Sequence, residues 1–522
     1  MSAPHSRSGE FTPWRGSWPL IAVVVLPFVV RLVAASAIHL TEDEAYYRLW
    51  SFTPAFGYFD HPPMIAWWIW LGRLILGDNG LGVRLLPIAS AAVTTLLVFD
   101  SARLAGATPR IATTAAVFYS AMLLVAAGGF LAVPDAAATL FWTATIWCAL
   151  KARIDGSARW WLLAGLAAGL ASLSKYSALF LAPGIVLWLA VTKEGRAALR
   201  QPGPWLAATV AIMIFGFNLT WNAQHHWLTF AKQFGRVTAG RFAPIHVAEF
   251  VAAQFILINP LIAVFAVCAL ARRGAQKESP LLLAPFVGAS LPFAAYLLIH
   301  GLHDAVQAHW PAPLYPAIAV VAAGGAQTLG KRSAWLRAFA PWLGYVIGAA
   351  ALAWLCIPGN WLALPADPAL PIRGWREFAQ NVERLRQRTG AAWIGAASYG
   401  FSAQLKGEPG VRAPVFELFE RMRYRGLRLG PPPDLTRPGL VIDLPRRLSL
   451  SALKNCFKSA TLIATLRRGD DGGPFTKYAV IRVLGPRADL LAAGCPTRAP
   501  SSVAWNASPF APVSASSAVQ PR

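Results

Sequence analysis

Residues 18–51 read WPLIAVVVLPFVVRLVAASAIHLTEDEAYYRLWS. The apolar run 18–38 carries one charge, Arg31, and is followed by three consecutive acids, Glu42, Asp43 and Glu44. A helix rises about 1.5 Å per residue, so crossing about 30 Å of hydrocarbon takes about 20 apolar residues. The run therefore predicts a transmembrane helix. It is too long for a removed signal peptide and lacks a small-residue cleavage site, so it reads as a retained anchor. The acids stand where the chain leaves the membrane, a place where a carboxylate is costly unless it lines a polar cavity or meets a partner. Thr41 reads as an N-cap, and Glu44 three residues on completes a capping box. In that helix Asp43, Tyr46 and Tyr47 share one face by their spacing. Solvated acids at a helix start would also satisfy this pattern.

The rest of the chain follows the first span. Of 522 residues, 56% are hydrophobic and 14% are charged. Soluble proteins carry about 45–50% and about 25%. A soluble single-core enzyme and a disordered chain are both excluded. Further spans are predicted at 85–102, 111–128, 134–150, 160–174, 176–192, 204–221, 247–270, 281–299, 311–329 and 338–357. The expected fold is a multi-span α-helical membrane protein of about 11 to 13 helices with a small C-terminal α/β domain. Residues 1–357 form the membrane domain with a large first outer loop, 39–84. Residues 358–500 form the outer domain, and the Ser/Ala/Pro-rich 501–522 read as disordered. Strands are expected at Trp393–Ser398, Leu440–Leu444, Thr461–Leu466 and Tyr478–Leu484, after a helix at Gly374–Arg388.

The net charge of +23 comes from 47 Lys and Arg against 24 Asp and Glu. Its distribution encodes orientation and gives no footing for nucleic acid. Basic residues cluster at Arg7/Arg15, Arg103/Arg110, Lys151/Arg153/Arg159, Lys193/Arg196/Arg200, Arg272/Arg273/Lys277 and Lys331/Arg332/Arg337. These loops all fall on the N-terminal side, which the positive-inside rule makes cytoplasmic. An odd number of spans then puts the chain after 357 outside, where its basic surface can meet anionic membrane lipids. Cys456 and Cys495 both lie in that part. Pairing and two unrelated thiols are equally open from sequence.

Several outer segments carry chemistry. Gly57-Tyr-Phe-Asp-His-Pro-Pro-Met64 joins an acid, Asp60, to an imidazole, His61, and a rigid turn. An aromatic helix over Met64–Leu76 follows, suited to the membrane interface. Asp135 follows Pro134 at the outer end of a span, where the helix dipole also favours it. Lys175 sits at another outer end, placed either to snorkel or to bind a phosphate. Trp221-Asn-Ala-Gln-His-His-Trp227 precedes Lys232, Arg236 and Arg241. Another loop holds His300, His303, Asp304 and His309. The histidines lack a metal-ligand motif such as HExxH. Cations and imidazoles around a cavity suit a phosphate instead.

Taken together, the Asp-Glu-Ala-Tyr-Tyr stretch, the Asp60-His-Pro-Pro segment, Pro134-Asp135, Trp221-Asn222 and His309-Trp-Pro-Ala-Pro-Leu-Tyr315 resemble the bacterial branch of the dolichyl-phosphate-mannose–protein mannosyltransferase family. That branch includes lipid A aminoarabinose and galacturonic acid transferases. The resemblance covers about residues 15–330. It implies a GT-C glycosyltransferase that takes a sugar from a polyprenyl-phosphate donor on the non-cytoplasmic face of a bacterial inner membrane. It places Asp43 and Asp135 at the catalytic centre. Where the lipid A branch often has Lys before Pro-Pro, this chain has His61, a departure that argues against a simple aminoarabinose assignment.

The chemistry agrees. Transfer to a hydroxyl needs a base for the acceptor proton, a role for Asp43. A phosphate leaving group needs cations more than an acid. Candidates for holding donor phosphate or substrate are Glu44, Tyr47, Asp60, His61, Lys175, Arg236, His303 and His309. A phosphodiester leaving group makes a divalent metal less necessary than a pyrophosphate would, so neither metal nor cofactor is expected. The acceptor is a lipid, a glycan or a protein. The rival class is a transporter or flippase of lipid-linked glycans, but no repeated halves are evident, and the polar residues concentrate in outer loops.

Overall fold

A computed structural model describes residues 18–235, 242–271, 279–328, 334–357, 367–469, 475–487 and 489–496. Each predicted span falls on helix. The first part comprises α1 (Trp18–Ala37), α2 (Glu42–Trp50), α3 (Met64–Leu76), α4 (Gly80–Leu104), α5 (Pro109–Ala121), α6 (Leu123–Gly128), α7 (Pro134–Asp155) and α8 (Ala158–Ser172). It continues with α9 (Leu181–Ala190), α10 (Lys193–Leu199), α11 (Pro202–Gln224), α12 (Leu228–Phe234), α13 (Ile245–Leu257), α14 (Pro260–Ala271), α15 (Ser279–Gly301), α16 (Tyr315–Thr328) and α17 (Ala334–Cys356).

Among the described residues, five helices are long and apolar enough to cross a membrane unaided: 18–37, 80–104, 202–224, 284–301 and 334–356. The other predicted spans are met by helices that are shorter, broken or less apolar. The run 247–270 is two helices, α13 and α14, bent by 109°. The break falls at Asn259-Pro260. Pro260 cannot continue the ladder of α13, and Asn259 takes φ +80° and donates its amide to the Ala340 carbonyl at 2.8 Å. Apolar side chains stand exposed on α1 (Val25, Leu26, Val33), α11 (Ile212, Met213, Phe217) and α17 (Trp342, Val346). This is the inverse of a soluble surface and the expected face toward lipid. Inside, α7 packs on α4 and α8, α8 on α11, α9 on α15, and α14 on α16.

The C-terminal part is a five-stranded sheet with helices α18 (Trp375–Arg388), α19 (Tyr399–Gly407), α20 (Leu450–Cys456) and α21 (Leu490–Ala493). The strands are β1 (Trp393–Ala396), β2 (Val415–Glu417), β3 (Gly439–Asp443), β4 (Phe457–Gly469) and β5 (Phe475–Pro486), in the order β2-β1-β3-β5-β4. β1 runs parallel to β2 and β3, whereas β5 is antiparallel to β3 and β4. Alternate residues serve opposite faces, as a period of two requires. Ile394, Leu440, Ile442 and Val480 meet Trp375, Phe378 and Phe401 from α18 and α19. Trp393, Val441, Ile481 and Val483 meet Leu453 and Leu490 from α20 and α21. On this second face Cys456 and Cys495 form a disulfide.

Candidate active site

The capping box at α2 forms as the spacing predicts. The Glu44 amide donates to Thr41 Oγ1 at 3.2 Å, and Thr41 N donates to Glu44 Oε2 at 3.0 Å. A helix advances about 100° per residue, so the three acids point three ways. Glu42 faces the C-terminal domain, where Gly400 leaves room for it: a Cβ at Gly400 would lie 2.6 Å from its side chain. Asp43 faces a cavity. Glu44 turns into the wall.

Glu44, a candidate for substrate contact, therefore points into protein rather than toward solvent. It is fully buried and pairs with Arg84 through two 2.7 Å contacts, while its Oε1 also accepts the Ala132 amide at 2.9 Å. Burial alone would raise its pKa. The Arg84 charge and these hydrogen bonds outweigh burial and hold the carboxyl below its usual range. Arg84 also donates to the Ile38 carbonyl at 2.6 Å and the His39 carbonyl at 3.0 Å, satisfying acceptors left over where α1 ends. The pair thus ties α1, α2 and α4 together beneath the cavity.

Asp43 is exposed to solvent, with Asp60, His309 and Arg423 within electrostatic reach. Oδ1 accepts the Tyr399 hydroxyl at 2.7 Å. The surrounding protein raises its pKa, and the Tyr399 hydrogen bond and nearby His309 oppose that rise. Tyr399 comes from α19, so the C-terminal domain supplies part of the site. A second residue of that domain, Arg423, donates to Asp60 Oδ2 at 2.6 Å and lies over the Tyr399 ring at 4.1 Å. Asp60 also accepts from the Tyr46 hydroxyl at 3.0 Å and pairs with Lys232. Burial would raise its pKa, but Arg423 and Lys232 more than reverse this and keep it ionised.

Lys232 reaches Asp60 because α11 turns sharply into α12. His226 and Trp227 both take φ +56°, an uncommon conformation for residues with a Cβ. Thr229 then donates to the Tyr58 carbonyl at 2.7 Å, and Gln233 to the Asp60 carbonyl at 2.5 Å. The Gly57 and Trp221-Asn222 motifs also meet. A Cβ at Gly57 would stand 2.4 Å from the Trp221 ring, so only glycine fits. Asn218 and Asn222 hold the Tyr176 hydroxyl, next to Lys175.

Across the cavity, Lys175 Nζ donates to Asp135 Oδ1 at 2.6 Å. His309 Nε2 lies 3.8 Å from Asp135 Oδ2 and within electrostatic reach of Asp43. Burial favours neutral imidazoles here: it lowers the pKa of His309 despite Asp135, and pushes His61 down to about 3 despite Asp60. Tyr47 packs 6.1 Å from His61, ring to ring, and feels Asp43, Asp60 and Asp135.

Asp43, Tyr47, Asp60, His61, Asp135, Lys175 and His309 thus converge. His303 does not: it is exposed and meets the Phe242 ring edge-on. Arg236 lies outside the described residues. Sequence reasoning missed Tyr399 and Arg423, and it placed Lys232 only in a basic loop. Among the described residues, no group of three or more His, Cys, Asp or Glu side chains is placed to hold a metal ion.

With this geometry in view, comparison with known proteins adds three findings. Residues 60–221 match the family model described as dolichyl-phosphate-mannose-protein mannosyltransferase. The matched segment holds Asp60, His61, Asp135 and Lys175, whereas Asp43, Lys232, Tyr399 and Arg423 lie outside it. The lipid A galacturonosyltransferase RgtD of Rhizobium johnstonii is 28% identical over 58% of this chain and 64% of its own length. An undecaprenyl phosphate-alpha-4-amino-4-deoxy-L-arabinose arabinosyl transferase of Pseudomonas aeruginosa is 34% identical over 25% of this chain and 24% of its own length. The matches thus span less than two thirds of either relative. The crystal structure of ArnT from Cupriavidus metallidurans bound to undecaprenyl phosphate superposes with a TM-score of 0.62 at 15% identity, covering 89% of this chain and 97% of that one. The fold is therefore that of ArnT, a multi-span helical domain continued by a small sheet domain.

Proposed function

We propose that this chain is an integral-membrane glycosyltransferase of the bacterial inner membrane. It moves a sugar from a polyprenyl-phosphate donor to an envelope acceptor, with inversion at the anomeric carbon. The observation that carries this reading is Asp43: a solvent-exposed carboxylate, one oxygen held by Tyr399, with cation–acid pairs at Asp135 and Asp60 around it.

The acceptor hydroxyl oxygen attacks the anomeric carbon, and its proton passes to Asp43. The bond from that carbon to the phosphate oxygen breaks, and its electron pair leaves on the polyprenyl phosphate, which gains a negative charge. Lys175 and Lys232 meet that charge, and neutral His61 and His309 offer N–H donors to it. Asp135 orients Lys175. Asp60, paired with Arg423, orients Lys232. These groups supply the charge stabilisation a metal would otherwise give, so the reading needs no cofactor.

The relatives support the donor class, since one is named for an undecaprenyl-phosphate sugar and ArnT was crystallised with undecaprenyl phosphate. RgtD is named for lipid A, which makes a glycolipid the first acceptor to test. The cytoplasmic placement of the basic loops and the Cys456–Cys495 disulfide both support a periplasmic C-terminal domain over about 358–500. The transporter alternative has no observation in its favour.

Purified protein with radiolabelled undecaprenyl-phosphate sugars and lipid A is expected to transfer label, and Asp43→Asn to remove transfer at equal expression. Wild-type rates in Asp43→Asn would refute the base assignment. No transfer from any polyprenyl-phosphate sugar to lipid, glycan or protein acceptors would refute the function. Orientation is tested separately: protease added to spheroplasts is expected to cut the C-terminal domain without lysis.

A further inference from the structure

A second cavity, of about 580 Å³, lies between the C-terminal end of α2 and the C-terminal domain. None of Asp43, Asp60 or Asp135 lines it. Lys406, Arg421 and Arg428 bring three cations. Arg421 is fixed in place, with Nε donating to the Leu491 carbonyl at 2.9 Å and its guanidinium 4.8 Å over the Phe416 ring. Burial, then the neighbouring Arg421, pushes the Lys406 ammonium down to about 8, so it stays charged at neutral pH.

Glu417 and Tyr424 also line it, and Glu417 is only 1% exposed. Its Oε1 accepts the amides of Phe419 at 3.0 Å and Glu420 at 2.8 Å, but Oε2 is buried with no hydrogen-bond partner among the described residues. Burial holds the carboxyl well above its usual range, and Lys406 and Arg421 lie within its electrostatic reach. The cavity's apolar lining includes Phe52 and Pro431–Pro433. A volume of this size suits a mono- or disaccharide.

We infer that this cavity binds an anionic sugar, a hexose bearing a phosphate or carboxylate. Its charge lies toward Lys406, Arg421 and Arg428, and its ring rests on Phe52 and Pro431–Pro433. The same group can come from a glycolipid headgroup or from a free glycan. The inference does not depend on the transferase reading, because binding is measured without turnover.

Titration calorimetry of the full-length protein in detergent tests it, with glucose 1-phosphate, glucose and inorganic phosphate as probes. Glucose 1-phosphate is expected to bind at least tenfold more tightly than either of the other two. Arg428→Gln and Lys406→Gln are each expected to weaken it about tenfold. Arg428 is exposed, so its replacement leaves the fold intact, which an unchanged melting temperature checks. Asp43→Asn is expected to leave binding unchanged. Equal binding by both cation variants, or glucose or phosphate matching glucose 1-phosphate, would overturn the site. Loss of binding in Asp43→Asn would do so too, by placing the ligand in the acid cluster. Competition by micellar lipid A assigns the sugar to a lipid headgroup; competition by soluble phosphorylated disaccharide alone assigns it to a free glycan.

Discussion

Replacing Tyr399 with Phe removes one hydroxyl and keeps the ring that packs against Tyr46 at 4.9 Å. The lost contact is the 2.7 Å hydrogen bond to Asp43. Burial keeps the Tyr399 phenol protonated far above neutral pH, so it always donates. A hydrogen bond to a charged group contributes about 1.5–3 kcal/mol. Solvent reaches Asp43, so the lower end applies, and about 1.4 kcal/mol corresponds to one pH unit. The bond favours the ionised form. Without it the Asp43 pKa, already raised by burial, climbs further. A base acts only when ionised, so the acid limb of kcat/KM moves to higher pH by roughly one unit in Tyr399→Phe. At pH well above that limb the variant approaches the wild-type rate. The assay is transfer from a radiolabelled polyprenyl-phosphate sugar between pH 4 and 9, alongside thermal unfolding of both proteins. Superimposable profiles, or an acid limb that moves down, would refute the claim that Tyr399 tunes the base. A uniform loss at every pH would show that its hydroxyl serves packing alone.

Other perturbations have equally definite outcomes. Arg84→Met leaves the Glu44 carboxylate buried without its cation and is expected to cost about 3–5 kcal/mol, read as a large fall in melting temperature. Cys495→Ser opens a 39-residue loop; chain entropy puts the loss at about 4 kcal/mol, visible as earlier proteolysis of the C-terminal domain. Exhaustive EDTA treatment is expected to leave the transfer rate unchanged, and rescue by a divalent ion after a fall would contradict the cation assignments. Asp43→Asn is expected to lower kcat by about 10²–10⁴ with donor affinity retained, as single-turnover and binding measurements would show.

Much of the fold was legible because its signals are local. The apolar runs marked each helical stretch, and Thr41 with Glu44 announced the cap of α2 by spacing alone. Asn259-Pro260 is itself a turn signal, so the sharp bend inside 247–270 was readable and was passed over. β2 escaped because three residues, all buried in a parallel pairing, leave no alternation to detect. The site was half legible. Asp43, Asp60 and Asp135 stood out as acids where acids are expensive, but their helical positions alone did not reveal that Glu44 faces a wall. Tyr399 and Arg423 sit in a polar, unremarkable stretch, and contacts to residues more than 350 positions away carry no periodicity. Lys232 was visible as a cation and invisible as a partner, because the turn at His226 and Trp227 uses residues that seldom adopt it.

The dependence of the first loop on the last domain also has a consequence in time. Asp43 and Tyr399 are 356 residues apart, so a ribosome adding about 5–20 residues per second needs roughly 20–70 s between them. Throughout that interval the nascent chain exposes Asp43 without the hydroxyl that holds it, and Asp60 with Lys232 at most. A chain cut short before Arg423 inserts its helices yet never completes the centre. Synthesis order thus leaves Asp43 without the contact that tunes its pKa until translation is nearly complete.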